Sequence, residues 1–291
     1  MGLLPRPKFL PTGLYLWLMK KLLFVFILFP VICGAQVGAF KLGSVEQIRS
    51  TVLSETRTLN IYLPDGYSDK DTTSYPVIYL LDGGADEDFI HVAGLVQFCT
   101  FPWVKRLPPS IVVGIANTHR ERDMTFPTTI KGEKERFPTT GGSTKFISFI
   151  ADELQPYITK QFHTNGQTTI IGESLAGLLA TEVLFTRPSL FDKYIIISPS
   201  LWWDNGSLLG KRPALPDATR KIGIYIGVGK EGLAPSEQPH VMEVDANLLA
   251  DKLQEFKDKG ISVYLDYLPD ENHATIGHQA VYNAFKWLYR K

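Results

Sequence analysis

Seven short runs of apolar, largely β-branched residues recur along this 291-residue chain, and they limit its fold more than any other feature. They are Thr58–Leu63, Pro76–Leu81, Ser110–Ala116, Thr168–Gly172, Tyr194–Ile197, Ile222–Val228 and Ile261–Leu268. Most are apolar throughout rather than alternating, the pattern of strands covered on both faces in a mostly parallel sheet. Helical patterns lie between them. Phe146, Ile147, Ile150, Leu154 and Ile158 repeat at three-to-four spacing after Ser143-Thr144, and Leu175–Thr186, Val244–Phe256 and Val281–Leu288 supply further helical stretches. Alternating strand and helix predicts an α/β fold with a mostly parallel central sheet and helices on both faces. One connection is long and irregular. Residues 117–142 carry many charges, Pro127, Pro138 and the Gly141-Gly142 pair, and such a length suits a lid or substrate loop as well as a solvated insertion.

The amino terminus is of another kind. Met19-Lys20-Lys21 precedes an apolar run from Leu22 to Ile32, and Cys33-Gly34-Ala35 follows. A basic start, a short apolar core and a small-residue exit predict a signal peptide over residues 1–35, with Met19 an alternative start, and hence a secreted or periplasmic protein. The run is too short for a confident membrane span. Residues 36–291 then form one domain, a length that a single α/β core can serve. The whole chain has zero formal charge, and without residues 1–35 it keeps 26 basic and 30 acidic residues, a net of −4. Neither balance suggests a nucleic-acid or anionic-membrane partner. Only Cys99 remains after cleavage, so no internal disulfide is expected, and its apolar neighbours make it a core residue. Oligomeric state is not legible.

The chemistry starts at Gly172-Glu173-Ser174-Leu175-Ala176-Gly177, which follows one apolar run and opens a helical one. Strand, tight turn with serine at its apex, then helix is the arrangement of a nucleophile elbow. Small residues are needed two positions either side of the serine. Gly172 fits, and Ala176 stands where glycine is usual. A serine nucleophile needs a base, and three histidines follow it: His240, His273 and His278. His273 lies between the last strand and the last helix, the place for a base. The acid that would orient it should follow the Ile222–Val228 run. Glu231 is the first carboxylate there, with Glu237, Glu243 and Asp245 rivals further on and Asp204 a rival after the preceding strand. The backbone N–H groups of Leu175 and Gly84, the latter in Leu81-Asp82-Gly83-Gly84, are expected to hold an oxyanion. Trp202 and Trp203 are candidates to wall a substrate pocket or to fill the core. Arg120 and Arg122 are candidates to face an anionic substrate or to lie in solvent. Gly227-Val-Gly229-Lys-Glu-Gly232 matches a dinucleotide fingerprint, but Pro235 and Pro239 follow where a helix should open. No His-Glu-x-x-His or cysteine cluster points to a metal, and no cofactor is expected.

Together, Tyr75-Pro-Val-Ile-Tyr-Leu-Leu-Asp-Gly83, Gly141-Gly-Ser-Thr-Lys-Phe-Ile-Ser-Phe-Ile-Ala-Asp-Glu-Leu154, Ile171-Gly-Glu-Ser-Leu-Ala-Gly177, Ser198-Pro-Ser-Leu-Trp-Trp203 and Glu271-Asn-His-Ala-Thr275 resemble the esterase D and siderophore-esterase branch of the α/β hydrolases. The resemblance runs from about Val45 to the carboxyl terminus. It implies an α/β-hydrolase fold and a serine carboxylic-ester hydrolase acting on a small-molecule ester through an acyl-enzyme. By the same resemblance Ser174 is nucleophile, His273 base, Glu231 acid, and Leu175 and Gly84 oxyanion donors. Some relatives in this branch work as Ser–His dyads, so the acid is the weakest transfer. Glu173 stands where the branch often has histidine. A siderophore trilactone or a feruloyl ester would be the specific substrate. Acyl transfer to an alcohol, or a non-catalytic binding protein on the same fold, is the alternative class.

Overall fold

A computed structural model of the chain describes residues 38–214 and 220–290, together with Gly2, Gly13, Leu16, Trp17 and residues 19–21. The expected signal peptide lies almost wholly outside the described residues. The chain divides into two units, Met1–Phe40 and Lys41–Lys291. No described helix is long and apolar enough to cross a membrane.

The second unit is built on one eight-stranded sheet: β1 (Ser44–Ser50), β2 (Glu55–Tyr62), β3 (Tyr75–Leu80), β4 (Ile111–Ile115), β5 (Thr164–Glu173), β6 (Lys193–Ile197), β7 (Ile222–Gly229) and β8 (Ile261–Leu268). Their spatial order is β1-β2-β4-β3-β5-β6-β7-β8. β1 and β2 pair antiparallel, as do β2 and β4, and every later pairing is parallel. All seven expected runs are strands. β1 is the addition. It is a polar edge strand whose side chains are mostly exposed, so it carries no apolar run to read.

The helices are α1 (Phe89–Thr100), α2 (Arg120–Met124), α3 (Lys131–Arg136), α4 (Ser143–Phe149), α5 (Gln155–Gln161), α6 (Leu175–Thr186), α7 (Trp203–Gly210), α8 (Met242–Gln254) and α9 (Ile276–Leu288). One core holds Phe146, Leu154, Leu178 and Leu249 against one sheet face. A second core holds Val92, Val96, Ala280 and Phe285 against the other, with Cys99 buried within it. The buried apolar runs follow from this covering on both faces. No helix opens from Gly232. A Leu233–Val241 bridge and a further turn precede α8, so the glycine pattern is a loop and not a phosphate cradle.

Residues 117–142 are exposed along much of their length but are tied to the domain at several buried side chains. Met124, Phe126, Thr128 and Glu133 are buried, and Arg57 of β2 reaches Asp123 at 2.6 Å with both side chains at 1% exposure or less. Because β3 and β5–β8 run parallel, the loops after them all emerge at one carboxyl edge. In open α/β sheets, ligands bind outside that edge.

Candidate active site

Ser174 sits between β5 and α6 with φ 60° and ψ −121°, a left-handed conformation that a serine adopts only when its surroundings hold it there. Gly172 makes the turn possible. A β-carbon there would lie 2.4 Å from the Ala176 carbonyl oxygen, so no other residue fits. Ala176 itself is fully buried and accommodated, so replacing the usual glycine costs this elbow nothing visible. The Ser174 N–H donates to the Ile197 carbonyl at 3.0 Å, and the Ser200 N–H donates to the Ser174 carbonyl at 3.0 Å. The elbow is thereby tied to the end of β6.

His273 follows β8. Its Nε2 accepts from the Ser174 hydroxyl at 3.0 Å, and its Nδ1 meets Glu231 Oε2 at 2.5 Å. A carboxylate can only accept, so Nδ1 carries the proton and Nε2 is left with its lone pair toward the serine. Glu231 follows β7. Its side chain is 3% exposed against 47% for His273. Its other oxygen accepts from the Ser198 hydroxyl and from the Gly229 N–H. Burial pushes the Glu231 carboxyl up, but the hydrogen bonds from His273 and Ser198 outweigh it and hold the group below the usual range. The Glu231 hydrogen bond in turn raises His273 above the ordinary histidine value, against desolvation.

The rival residues lie elsewhere. Asp204 accepts from the Thr129 N–H at 2.6 Å, Glu237 from the Gly132 N–H, and Asp245 meets His240 at 3.0 Å. Glu243 accepts from the N–H groups of Glu231 and Gly232, so it braces the Glu231 loop and does not meet His273. His278 is inside α9 and contacts His91 at 2.6 Å.

Other expectations divide. Leu175 is the first residue of α6, where the N–H has no partner four residues back in its own helix. The Gly84 N–H, by contrast, donates to Glu87 Oε2 at 2.6 Å, so it is engaged by a carboxylate in this structure. Trp202 borders a small pocket beside Ser174, but Trp203 does not: it is fully buried and donates to the Phe126 carbonyl at 2.9 Å. Arg120 reaches the cleft over Ser174. Arg122 turns away from it, pairing with Glu55 and Asp123 at 2.7 Å each. The adjacent tryptophans and the near-adjacent arginines look alike in sequence, yet only one of each pair borders a hollow beside Ser174.

Several site residues carried no sequence signal strong enough to single them out. The cleft of about 430 Å³ over Ser174 is lined by Asp82, Glu87, Asp88, Asn117, Arg120, Glu173 and His273, among others. The acidic density of Asp82 to Asp88 around a glycine pair was the available clue. Glu173, directly before Ser174, is pushed up to about 7 by burial and then by Asp88. Ser198 and Ser200 bracket the proline after β6, and Ser200 Oγ is 3.4 Å from Ser174 Oγ.

Known proteins place this geometry in context. The family model described as "Putative esterase" matches residues 50–275. The ferri-bacillibactin esterase BesA of Bacillus subtilis is 29% identical over 262 residues, 84% of this chain and 89% of its own. The siderophore enterobactin esterase of Emericella nidulans is 42% identical over a 72-residue stretch, 24% of each chain. Among solved structures, an IroE-like serine hydrolase from Shewanella oneidensis superposes with a TM-score of 0.73 at 32% identity, covering 85% of this chain and 80% of that one.

Proposed function

The chain belongs to this esterase family and is a hydrolase acting on ester bonds, and from that premise we propose that Ser174, His273 and Glu231 carry the reaction as a triad. Ser174 Oγ attacks the ester carbonyl carbon while its proton passes to His273 Nε2. Glu231 holds the imidazole in the Nδ1–H tautomer and stabilises the imidazolium that forms. The carbonyl oxygen, now an anion, is held by the Leu175 N–H and by the Gly84 N–H once Glu87 moves off it. The imidazolium protonates the departing alcohol, leaving an acyl-Ser174 ester. A water molecule, deprotonated by the same imidazole, attacks that ester; the bond to Ser174 Oγ breaks, the imidazolium returns its proton to Oγ, and the acid leaves.

The observation that carries this reading is the unbroken hydrogen-bonded chain from Ser174 Oγ through His273 to Glu231. The test is turnover of p-nitrophenyl butyrate by the protein and by Ser174→Ala. Loss of a triad serine costs on the order of 10⁶ in kcat, and an undiminished rate would remove Ser174 from the mechanism.

A siderophore ester is the substrate reading favoured by relatives named for that activity. A hydrolysis panel of a trilactone siderophore, a feruloylated sugar and short-chain esters separates it from the alternatives. We also propose that residues 1–35 direct export, that residues 36–291 are the enzyme, and that 117–142 serves as a substrate loop. Asn117 and Arg120 on the cleft support the last point. Amino-terminal sequencing of the exported protein should begin at Gln36, and a start upstream of residue 35 would contradict the cleavage.

A further inference from the structure

The proposed nucleophile stands between two hollows of opposite character. On one side is the 430 Å³ cleft, whose wall brings Asp82, Glu87, Asp88 and Glu173 together with a single guanidinium, Arg120. On the other is a pocket of about 210 Å³ walled by Trp202, Leu233, Ala234, Pro235 and Met242, reaching Ser174 and His273 from the carboxyl side of β7. The second volume exceeds the roughly 150 Å³ cavity known to hold benzene, so one ring or a short alkyl chain fills it.

The one cation of the first cleft is already matched. Arg120 Nε donates to Asp82 Oδ1 at 2.7 Å and its Nη2 to Asp82 Oδ2 at 2.8 Å, a two-pronged pair that uses one edge of the guanidinium. Asn117 adds a further donor to both Asp82 and Glu87. With Arg120 and Asp82 cancelling, Glu87 and Asp88 remain unmatched by any lysine or arginine of the cleft wall, which also carries His91, His273 and His278, and Glu173, pushed up to about 7, adds only part of a negative charge near neutral pH. A cleft lined by one sign of charge focuses its field on whatever enters.

We propose that the site selects esters carrying a small apolar group on one side of the scissile bond and an uncharged or cationic polar group on the other, and that it disfavours anionic esters. This rests on the reading of Ser174 as the nucleophile.

The experiment uses matched esters that keep a phenyl group on one side and end the other in methyl, trimethylammonium or carboxylate. Both orientations across the ester are made, and each is assayed at low and high salt with Ser174→Ala as control. At low salt, kcat/KM for the neutral and cationic members should exceed that of the anionic member by about tenfold or more. The gap should shrink at 1 M salt, where charges are screened within about 3 Å. Asp88→Asn should narrow it as well. Ala234→Trp, filling the apolar pocket, should lower kcat/KM for phenyl esters more than for the acetate of a small alcohol. Equal or better use of the anionic ester, in turnover that Ser174→Ala abolishes, overturns the charge assignment alone. A gap indifferent to salt and to Asp88→Asn does the same. Turnover that survives in Ser174→Ala overturns the nucleophile and this proposal with it.

Discussion

At the scale of single residues, the distinctive feature is how Glu231 is held. It is nearly sealed from solvent, receives His273 on one oxygen and Ser198 and Gly229 on the other, and has its own backbone N–H fixed by Glu243. An acid held so firmly should matter to the rate. Glu231→Gln should lower kcat by roughly 10⁴, by favouring the wrong imidazole tautomer, whereas Asp204→Asn and Asp245→Asn should change it by less than about tenfold. Steady-state kinetics on one ester decides this, and a small effect of Glu231→Gln would make the site a Ser–His dyad. A second consequence concerns pH. The base must be neutral to accept the serine proton, and Glu231, then Glu173, raise the His273 value above the ordinary one. Activity should therefore climb with pH through a step above the usual histidine value. Removing the negative charge of Glu173, a group that titrates at about 7, weakens the pull on the imidazolium. Glu173→Gln should thus move the acid limb of the kcat/KM profile to lower pH, and a limb that stays put or moves up would contradict that coupling. At this scale Ser174, His273 and Glu231 were legible because chain order and strand ends confine them. Asn117, Asp88 and the fate of Arg122 were not, because their roles depend on contacts between residues tens of positions apart.

At the scale of elements, the loops at the carboxyl edge are positioned by the strands they leave, and α2 is positioned by charge. Arg57 on β2 is wholly buried, bonds Asp123 of α2 at 2.6 Å and Glu55 at 2.9 Å, and donates to the Ala116 carbonyl at 3.0 Å. Arg122 joins the same group from the helix side. This network anchors the start of the 117–142 segment and so sets where Arg120 stands. Removing Asp123 takes the nearer, fully buried carboxylate from Arg57 and leaves only the partly exposed Glu55 to offset its buried charge. Asp123→Ala should cost about 3–5 kcal/mol, a fall in Tm of roughly 6–20 °C for a domain of this size. Thermal unfolding followed by circular dichroism measures it, and a shift under about 2 °C would show that the network is not what holds the segment. The buried strands were plain in the sequence, since a short run that is apolar throughout and bounded by turn residues must be covered on both faces. β1, α1 and the short helices of 117–142 were not. β1 is polar because it is an edge, and α1 is apolar on its outer face as well as its buried one, with Ile90 and Phe98 exposed to solvent. Neither has the periodicity that marks a half-buried element.

At the scale of the whole molecule, a single parallel-dominated sheet gathers residues from positions 82 to 273 at one edge, and the proposed chemistry belongs to that edge. The fold class, the sheet's parallel character and the order of Ser174, Glu231 and His273 after successive strands were all present in the sequence as spacing. The two hollows flanking Ser174 were not, because a cavity belongs to no one segment. If this edge works as proposed, it forms a covalent acyl-enzyme on Ser174, and covalent trapping reads that out. The protein is treated with an alkyl fluorophosphonate, its intact mass is measured, and the modified peptide is sequenced. One adduct per chain is expected, located on Ser174, absent from Ser174→Ala and formed far more slowly in His273→Ala. An active protein that takes up no adduct, or takes it up at another residue, would refute the acyl-enzyme on Ser174.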